Sequence, residues 1–350
     1  MEGEINNFIV VWAIVLTSSY YSHTIVKLFP NGKSRFVAII PIVCLFFILP
    51  LYLTSTNLGG LTSFFIAWLA TFKIILFAFG KGPLSPTPPL PLSTFILLTC
   101  LPVKLQKHSP SHVETNKKAK NSTLILVTKI ALLAILIRVY SYKNHLHPKI
   151  ILFCYCLHIY FALEIILTMI NTMVRVASRI ELEPPFDEPY KTGSLQDFWG
   201  RRWNLMVTNI LRPTIYYPIR SVLARHIPKN WAPHPAVLAT FFVSGLMHEL
   251  IFYYIARVKP SWELTWFFII HGVALSLEIM IKKLLNNKFL VPRFISGLLA
   301  LVFIILTSFW LCFPPLLRAK LDVKLCTEYN AFFQFVRYSK LVSPTNITCM

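Results

Sequence analysis

Pro235-Ala-Val-Leu-Ala-Thr-Phe-Phe-Val-Ser-Gly-Leu-Met-His-Glu-Leu-Ile-Phe-Tyr-Tyr-Ile-Ala256 is the stretch that decides the fold. It is apolar almost throughout, and a helix needs about 20 such residues to cross the hydrocarbon core of a bilayer. A histidine, His248, lies far from either end of it.

Similar runs recur on both sides, at residues 8–28, 36–54, 61–79, 122–142, 150–173, 262–281 and 294–313. Two further stretches are too short or too polar for a full crossing: 90–103, behind the proline-rich Pro83–Pro91, and 205–223, broken by Arg212 and Pro213. Such segments read as interfacial or re-entrant. Hydrophobic residues make up 55% and charged residues 14% of the 350. With a mean hydropathy of +0.61, this lies outside the range of soluble globular chains. The expectation is an all-α polytopic transmembrane bundle of about 8 to 10 membrane segments, one domain over 1–350 with a C-terminal tail at 314–350. No internal repeat of fixed period is visible, which gives little support to a solenoid or an inverted-repeat transporter.

The formal charge of +20 sits in short clusters between the apolar runs and not in one interleaved patch. Anionic head groups and a phosphorylated ligand are better partners for it than nucleic acid. Lys27, Lys33 and Arg35, then Lys104, Lys107, Lys117, Lys118 and Lys120, then Arg175, Arg179, Arg201 and Arg202 share one side if each clear run crosses once. The positive-inside rule makes that side cytosolic. The acidic start at Glu2 and Glu4 and the nearly uncharged turn at Asn57–Gly60 fall on the opposite face. The first run lacks a basic leader and reads as an uncleaved span. Simple counting puts the tail, with its Asn346-Ile-Thr348 sequon, opposite the cytosol, and Asn121-Ser-Thr123 on the cytosolic side. Cys44, Cys100, Cys154, Cys156 and Cys312 lie within or beside apolar runs, and the spacing suggests no disulfide framework. Cys154, Cys156 and His158 are two residues apart and share no helix face, so no metal is implied.

Ionisable groups inside apolar runs are costly, which makes Lys73, Lys129, Arg138, Glu164, His248, His271 and Glu278 the candidates for function. Lys73, Lys129 and Arg138 have a structural alternative, snorkelling or pairing with Glu164 across helices. His248 stands apart in its depth. At helical spacing it shares a face with Phe241, Ser244 and Phe252, and Gly245 permits close helix approach. A neutral imidazole accepts a proton, which is what activating a hydroxyl requires. A satisfied core histidine is the alternative reading.

Upstream, Ser194-Leu-Gln-Asp-Phe-Trp-Gly-Arg-Arg-Trp-Asn204 gathers aromatic, amide and guanidinium groups. Arg201 and Arg202 suit phosphates, and Trp199 or Trp203 suits the adenine or pantetheine arm of coenzyme A. An interfacial aromatic belt with basic anchors has the same composition.

Phe198-Trp-Gly-Arg-Arg-Trp-Asn204, followed about forty residues later by His248-Glu249 in an apolar helix, resembles the membrane-bound O-acyltransferases, and more narrowly their plant wax synthase branch. Phe64-Phe-Ile-Ala-Trp68, Gly82-Pro-Leu-Ser85, Ser194–Pro213 and Ser244–Phe252 extend the resemblance over most of the chain. It implies a multi-helix enzyme of the endoplasmic reticulum with its reaction chamber inside the membrane. Acyl-CoA is the implied co-substrate and a lipid alcohol the acceptor, with no bound cofactor and no metal. The family's histidine maps onto His248 and its asparagine onto Asn204. Trp199, Arg201, Arg202, Trp203, Ser244, Glu249 and His271 are candidate substrate-binding residues by proximity to the motifs.

In the implied reaction His248 takes the proton of the alcohol as its oxygen attacks the thioester carbonyl. Asn204 either stabilises the oxyanion or holds the substrates in register. A long primary alcohol, giving a wax ester, is the first expectation, a sterol the second and acetyl transfer to diacylglycerol the third. A lipid or solute transporter would carry similar intramembrane charges, and a membrane scaffold is a further rival. Neither explains the two paired motifs. The peripheral kind of wax ester synthase, marked by adjacent histidines and a spaced aspartate, does not fit a chain without a His-His pair.

Overall fold

The computed structural model describes residues 2–25, 28–106, 112–178, 180–285 and 291–338, and most of them are helical. Among the described residues eight helices are long and apolar enough to cross a membrane: Gly3–Ile25, Lys33–Tyr52, Thr56–Ala78, Leu124–His145, Pro148–Ser178, Pro233–Ala256, Glu263–Leu284 and Arg293–Arg318. They grow from the eight apolar runs of the sequence, and the chain forms the expected all-α polytopic membrane bundle. The 90–103 stretch holds only the nine-residue helix Leu92–Cys100. The 205–223 stretch is helical from end to end, with Pro213 absorbed in a wide π turn at Arg212–Tyr216.

One boundary departs from expectation. Asn57–Gly60, expected as a turn, lies in the first turns of a helix that begins at Thr56. The Ser55 hydroxyl caps it by accepting from the Leu58 N–H at 3.2 Å. The carboxylate of Glu328 accepts from the backbone N–H groups of Thr56 (2.5 Å) and Asn57 (2.9 Å). Helix N-termini have donors with no partner inside the helix, and an anion there meets both the missing acceptors and the helix dipole. Glu4 accepts in turn from the N–H groups of Thr54 (2.8 Å) and Ser55 (2.7 Å). The helix Leu321–Tyr338, which carries Glu328, therefore lies on the same face as the N-terminal Glu4, the face expected opposite the cytosol.

Cys326 on this last helix is disulfide-bonded. A disulfide suits the oxidising, non-cytosolic side of a membrane. Cys44, Cys100, Cys154, Cys156 and Cys312 are free. Lys27, Lys107, Arg179 and the Asn346-Ile-Thr348 sequon lie outside the described residues.

Two compact units make up the chain: Met1–Leu101, Val207–Ile281 and Leu311–Met350 form the first, Pro102–Met206 and Lys282–Trp310 the second. Innermost in the first unit is the Thr56–Ala78 helix, whose Ile66, Ala67, Trp68, Leu69 and Ala70 are almost fully buried. The Lys33–Ile48 and Pro233–Ala256 helices pack on it. Its Lys73 donates to the carbonyls of Leu98 (2.5 Å) and Leu101 (2.6 Å), meeting acceptors left open where the short Leu92–Cys100 helix ends inside the protein. Pro at the start of Pro233–Ala256 suits a first turn whose N–H groups are unpaired anyway. The helix stops at Arg257, held in the left-handed region at φ 56°. The Arg257 guanidinium donates to the carbonyls of Pro50, Leu51 and Leu53, contacts that offset the backbone strain.

Lys129 and Glu164 pair at 2.5 Å in the second unit, joining the Leu124–His145 and Pro148–Ser178 helices. This is the pairing foreseen for Glu164, and its partner is Lys129. The helix that starts at Arg293 presses on the turn at Thr192–Gly193 so closely that a Cβ on Gly297 would fall on the Thr192 carbonyl oxygen.

In the first unit a Cβ on Gly245 would sit 2.9 Å from the Thr265 Cα, so the Pro233–Ala256 and Glu263–Leu284 helices touch backbone to backbone there. Gly245→Ala is therefore expected to destabilise the purified protein in detergent by about 1–3 kcal/mol. Gly3→Ala, with nothing within 4 Å of the added carbon, is the control and should melt with the wild type. Indistinguishable melting of the two variants would refute the tight helix contact.

Candidate functional site

His248 sits between two aromatic rings of the first unit. The Phe268 ring stacks on the imidazole with centroids 4.1 Å apart and an interplanar angle of 27°. Trp68 meets it edge to face at 4.9 Å. Trp68 comes from the π-helical stretch Phe64–Ala70, a wide turn of a kind concentrated at functional sites. Phe268 comes from the Glu263–Leu284 helix, which Gly245 lets in close. His248 as a whole is partly exposed.

One hydrogen bond settles which nitrogen is which. Nδ1 of His248 lies 2.7 Å from the Ser244 carbonyl, one helical turn back. A carbonyl only accepts, so Nδ1 carries the proton and donates, and in the neutral ring Nε2 is the acceptor. Ser244, expected to bind substrate, thus holds the histidine through its backbone.

Glu249 and His271, the other two candidates near the histidine, are both buried. Glu249 is buried and turns away along its helix to accept from the Thr265 N–H at 3.3 Å, in the first turn of the Glu263–Leu284 helix. His271 is fully buried, with Nδ1 donating to the Phe267 carbonyl at 2.9 Å and its ring against Phe267 at 4.2 Å.

The aromatic-arginine motif belongs to the second unit. Ser194 caps a single turn by accepting from the Asp197 N–H at 3.1 Å. The chain then widens into a π turn at Phe198–Arg202, and Trp203 folds back so that its ring stacks on Phe198 at 5.4 Å. Phe186 and Tyr160 pack around Trp203 at 5.3 Å and 6.1 Å. Trp199 packs on Phe198 at 5.1 Å. Asn204 ends the motif buried, in the left-handed region at φ 38°. Asparagine is among the few residues with a Cβ that tolerate that conformation.

The two arginines have different fates. Arg202 donates from Nε to Asp197 at 2.7 Å and from Nη1 to the carbonyls of Asp187 (3.0 Å) and Glu188 (3.3 Å), so these donors are committed to holding the loop. Burial pushes the Asp197 carboxyl up, but the Arg202 hydrogen bond and the Gly193 N–H outweigh it and hold the group below the usual carboxylate range. Arg201 is exposed and lines a cavity of about 310 Å³ together with Ser194, Asp197, Lys282 and Arg293. Among the described residues, no three His, Cys, Asp or Glu side chains come together as metal ligands would.

Four residues of these sites have no role assigned from sequence. Trp68 is visible there only as part of a family-like run, and Phe268 is one aromatic among many in an apolar helix. Lys282 and Arg293 look like ordinary basic flanks of membrane spans. Fold, and not composition, singles them out.

Comparison with known proteins agrees with both motifs. A family model described as "Membrane bound O-acyl transferase family" matches residues 182–270, which include Asn204 and His248. The chain is 44% identical over 331 residues to "Acyl-CoA–sterol O-acyltransferase 1" of Arabidopsis thaliana, covering 94% of this chain and 96% of the relative. It is 39% identical over 342 residues to "Long-chain-alcohol O-fatty-acyltransferase" of Simmondsia chinensis, covering 96% and 97%. It is 40% identical over 331 residues to "Probable long-chain-alcohol O-fatty-acyltransferase 1" of Arabidopsis thaliana, covering 94% and 96%. Sharing sequence at this level along nearly its whole length, and carrying the two motifs in the matched region, the protein belongs to the membrane bound O-acyl transferase family.

Proposed function

We propose that this protein is an acyl-CoA-dependent O-acyltransferase of the endoplasmic reticulum membrane that esterifies a long-chain fatty alcohol to a wax ester, with His248 as general base. The observation that carries the mechanism is the fixed tautomer of His248, with Nε2 left to accept a proton. One relative at 39% identity is named as a long-chain-alcohol O-fatty-acyltransferase and several at 37–40% as probable ones, which supports the acceptor.

In the reaction Nε2 takes the hydroxyl proton as the alcohol oxygen attacks the thioester carbonyl. The tetrahedral oxyanion collapses, the carbon–sulfur bond breaks, and the imidazolium returns its proton to the departing thiolate. Trp68 and Phe268 keep the ring in one orientation and the surroundings dry, which favours a positioned base over bulk water. Asn204 takes the second role, donating from its amide to the oxyanion or to a substrate oxygen. Trp199 and Trp203 supply flat surfaces for the donor's adenine or pantetheine arm. A sterol acceptor is the second reading, favoured by the 44% identity to a protein named as an acyl-CoA–sterol O-acyltransferase.

Wild type and His248→Ala are to be expressed in yeast that lacks its own neutral-lipid synthesis and supplied with labelled acyl-CoA and hexadecanol or a sterol. Wax ester from the wild type and a loss of about 100- to 10,000-fold in the variant at equal protein level are the expected results. Sterol ester instead moves the acceptor, and equal ester from both proteins removes His248 as the base. Asn204→Gly keeps the left-handed backbone easily and deletes only the amide. It is expected to leave protein level intact and lower kcat by about 100- to 1,000-fold. Full activity in this variant would reduce Asn204 to a backbone role.

A further inference from the structure

Between Asp197 and Glu249 the sequence holds no acidic residue. Within that interval residues 217–234, all in the first unit, form an elbow that leads from the helix Tyr217–Leu223 into the span Pro233–Ala256. Arg220, Arg225 and Lys229 are exposed on it. The Arg220 guanidinium lies 6.0 Å from the centre of the Tyr216 ring, and among the described residues no ion pair reaches any of the three cations. Large side chains with apolar bodies are interleaved with them: Tyr217, Val222 and Trp231 are 53%, 55% and 56% exposed. Cations without acids repel one another, and exposed apolar groups gain nothing from water. A surface that offers negative charge beside hydrocarbon satisfies both.

The elbow is held by its own backbone. The N–H groups of Ala224 and Arg225 donate to the carbonyls of Arg220 (2.9 Å) and Val222 (3.1 Å), and those of His226 and Ile227 both donate to Leu223 at 2.9 Å. Trp231 donates to Pro228 at 2.8 Å, and its ring packs on His234 at 5.7 Å. The Tyr217–Leu223 helix also packs on the Pro233–Ala256 span. At the far end of that span Arg257 bonds the carbonyls of Pro50, Leu51 and Leu53, beside the turn that Glu4 holds. The 24 residues between rise by about 36 Å, against about 30 Å for the hydrocarbon core. The elbow therefore sits at headgroup depth on the opposite face, which the positive-inside rule makes cytosolic.

We propose that Arg220, Arg225 and Lys229 form a docking surface for the headgroups of anionic phospholipids in the cytosolic leaflet, with Tyr217, Val222 and Trp231 set at the boundary with the acyl chains. Guanidinium forks hold phosphate or carboxylate oxygens in pairs, and a lysine adds a compact charge. Tyrosine and tryptophan suit that boundary because one end of each ring is polar. The contact pins the start of the helix that carries His248 at the level of the headgroups. It uses none of the residues assigned to acyl transfer and stands independently of that reading.

The test uses the full-length protein in phosphatidylcholine vesicles that contain lipid brominated on its acyl chains, which quenches tryptophan on contact. Subtracting the emission of Trp231→Phe from that of the wild type isolates Trp231. Brominated phosphatidylserine is expected to quench half-maximally at a mole fraction about 10- to 100-fold below that of brominated phosphatidylcholine, since each cation at an anionic surface contributes about 5-fold. Raising the salt to about 1 M, where the Debye length falls to about 3 Å, should remove most of this preference. The triple variant Arg220→Gln, Arg225→Gln, Lys229→Gln should still be quenched by brominated phosphatidylcholine, which shows the elbow in place, and should lose the preference. Single substitutions, each expected to lower it about 5-fold, carry the test if the triple variant does not fold. Equal quenching by the two lipids in the wild type, or a preference that survives in the variants, would overturn the proposal. So would a Trp231 that neither lipid quenches, which would assign the elbow to a protein partner.

Discussion

The carboxylate of Glu328 at the head of the Thr56–Ala78 helix is the contact on which the first unit depends. A helix end leaves N–H donors without partners inside the helix, and an unmet buried one costs about 1–3 kcal/mol. Glu328 and Glu4 satisfy the donors of the 54–57 turn at the head of the innermost helix. Further along, the same helix carries Trp68 to His248 and Lys73 to the Leu92–Cys100 helix.

The membrane spans were legible because an apolar run of the right length has few alternatives in lipid. Other features depend on partners that local sequence does not reveal. Thr56-Asn-Leu-Gly-Gly60 has the small and polar residues of a turn, and its helical state depends on Glu328, about 270 positions away in sequence. The disulfide at Cys326 was equally hidden, since spacing alone says nothing of which thiols approach.

Around the site, legibility followed the range of the interaction. His248 and Asn204 were visible as polar residues in informative local settings. The hydrogen bond from Nδ1 to the carbonyl of Ser244 is a local, i to i−4 contact that helical spacing implies. Trp68 and Phe268 come from other helices, and nothing in periodicity says which of many aromatic residues lands on the ring. Glu249 accepts across helices from the Thr265 N–H, and His271 bonds one turn back along its own helix to the Phe267 carbonyl, two contacts of which only the second is implied by helical spacing.

The bond from Nδ1 to Ser244 also limits where protons go. With one ring nitrogen tied to a carbonyl of its own helix, the imidazole has a single open port. On the proposed mechanism the proton that enters through Nε2 leaves through Nε2, passing from the alcohol to the sulfur. Each turnover is then electrically closed: no charge is drawn from either side of the membrane, and neither the membrane potential nor a pH gradient can drive or oppose the reaction. An enzyme of this kind runs only on the chemical potentials of its two substrates, and it can work in a membrane of any energisation.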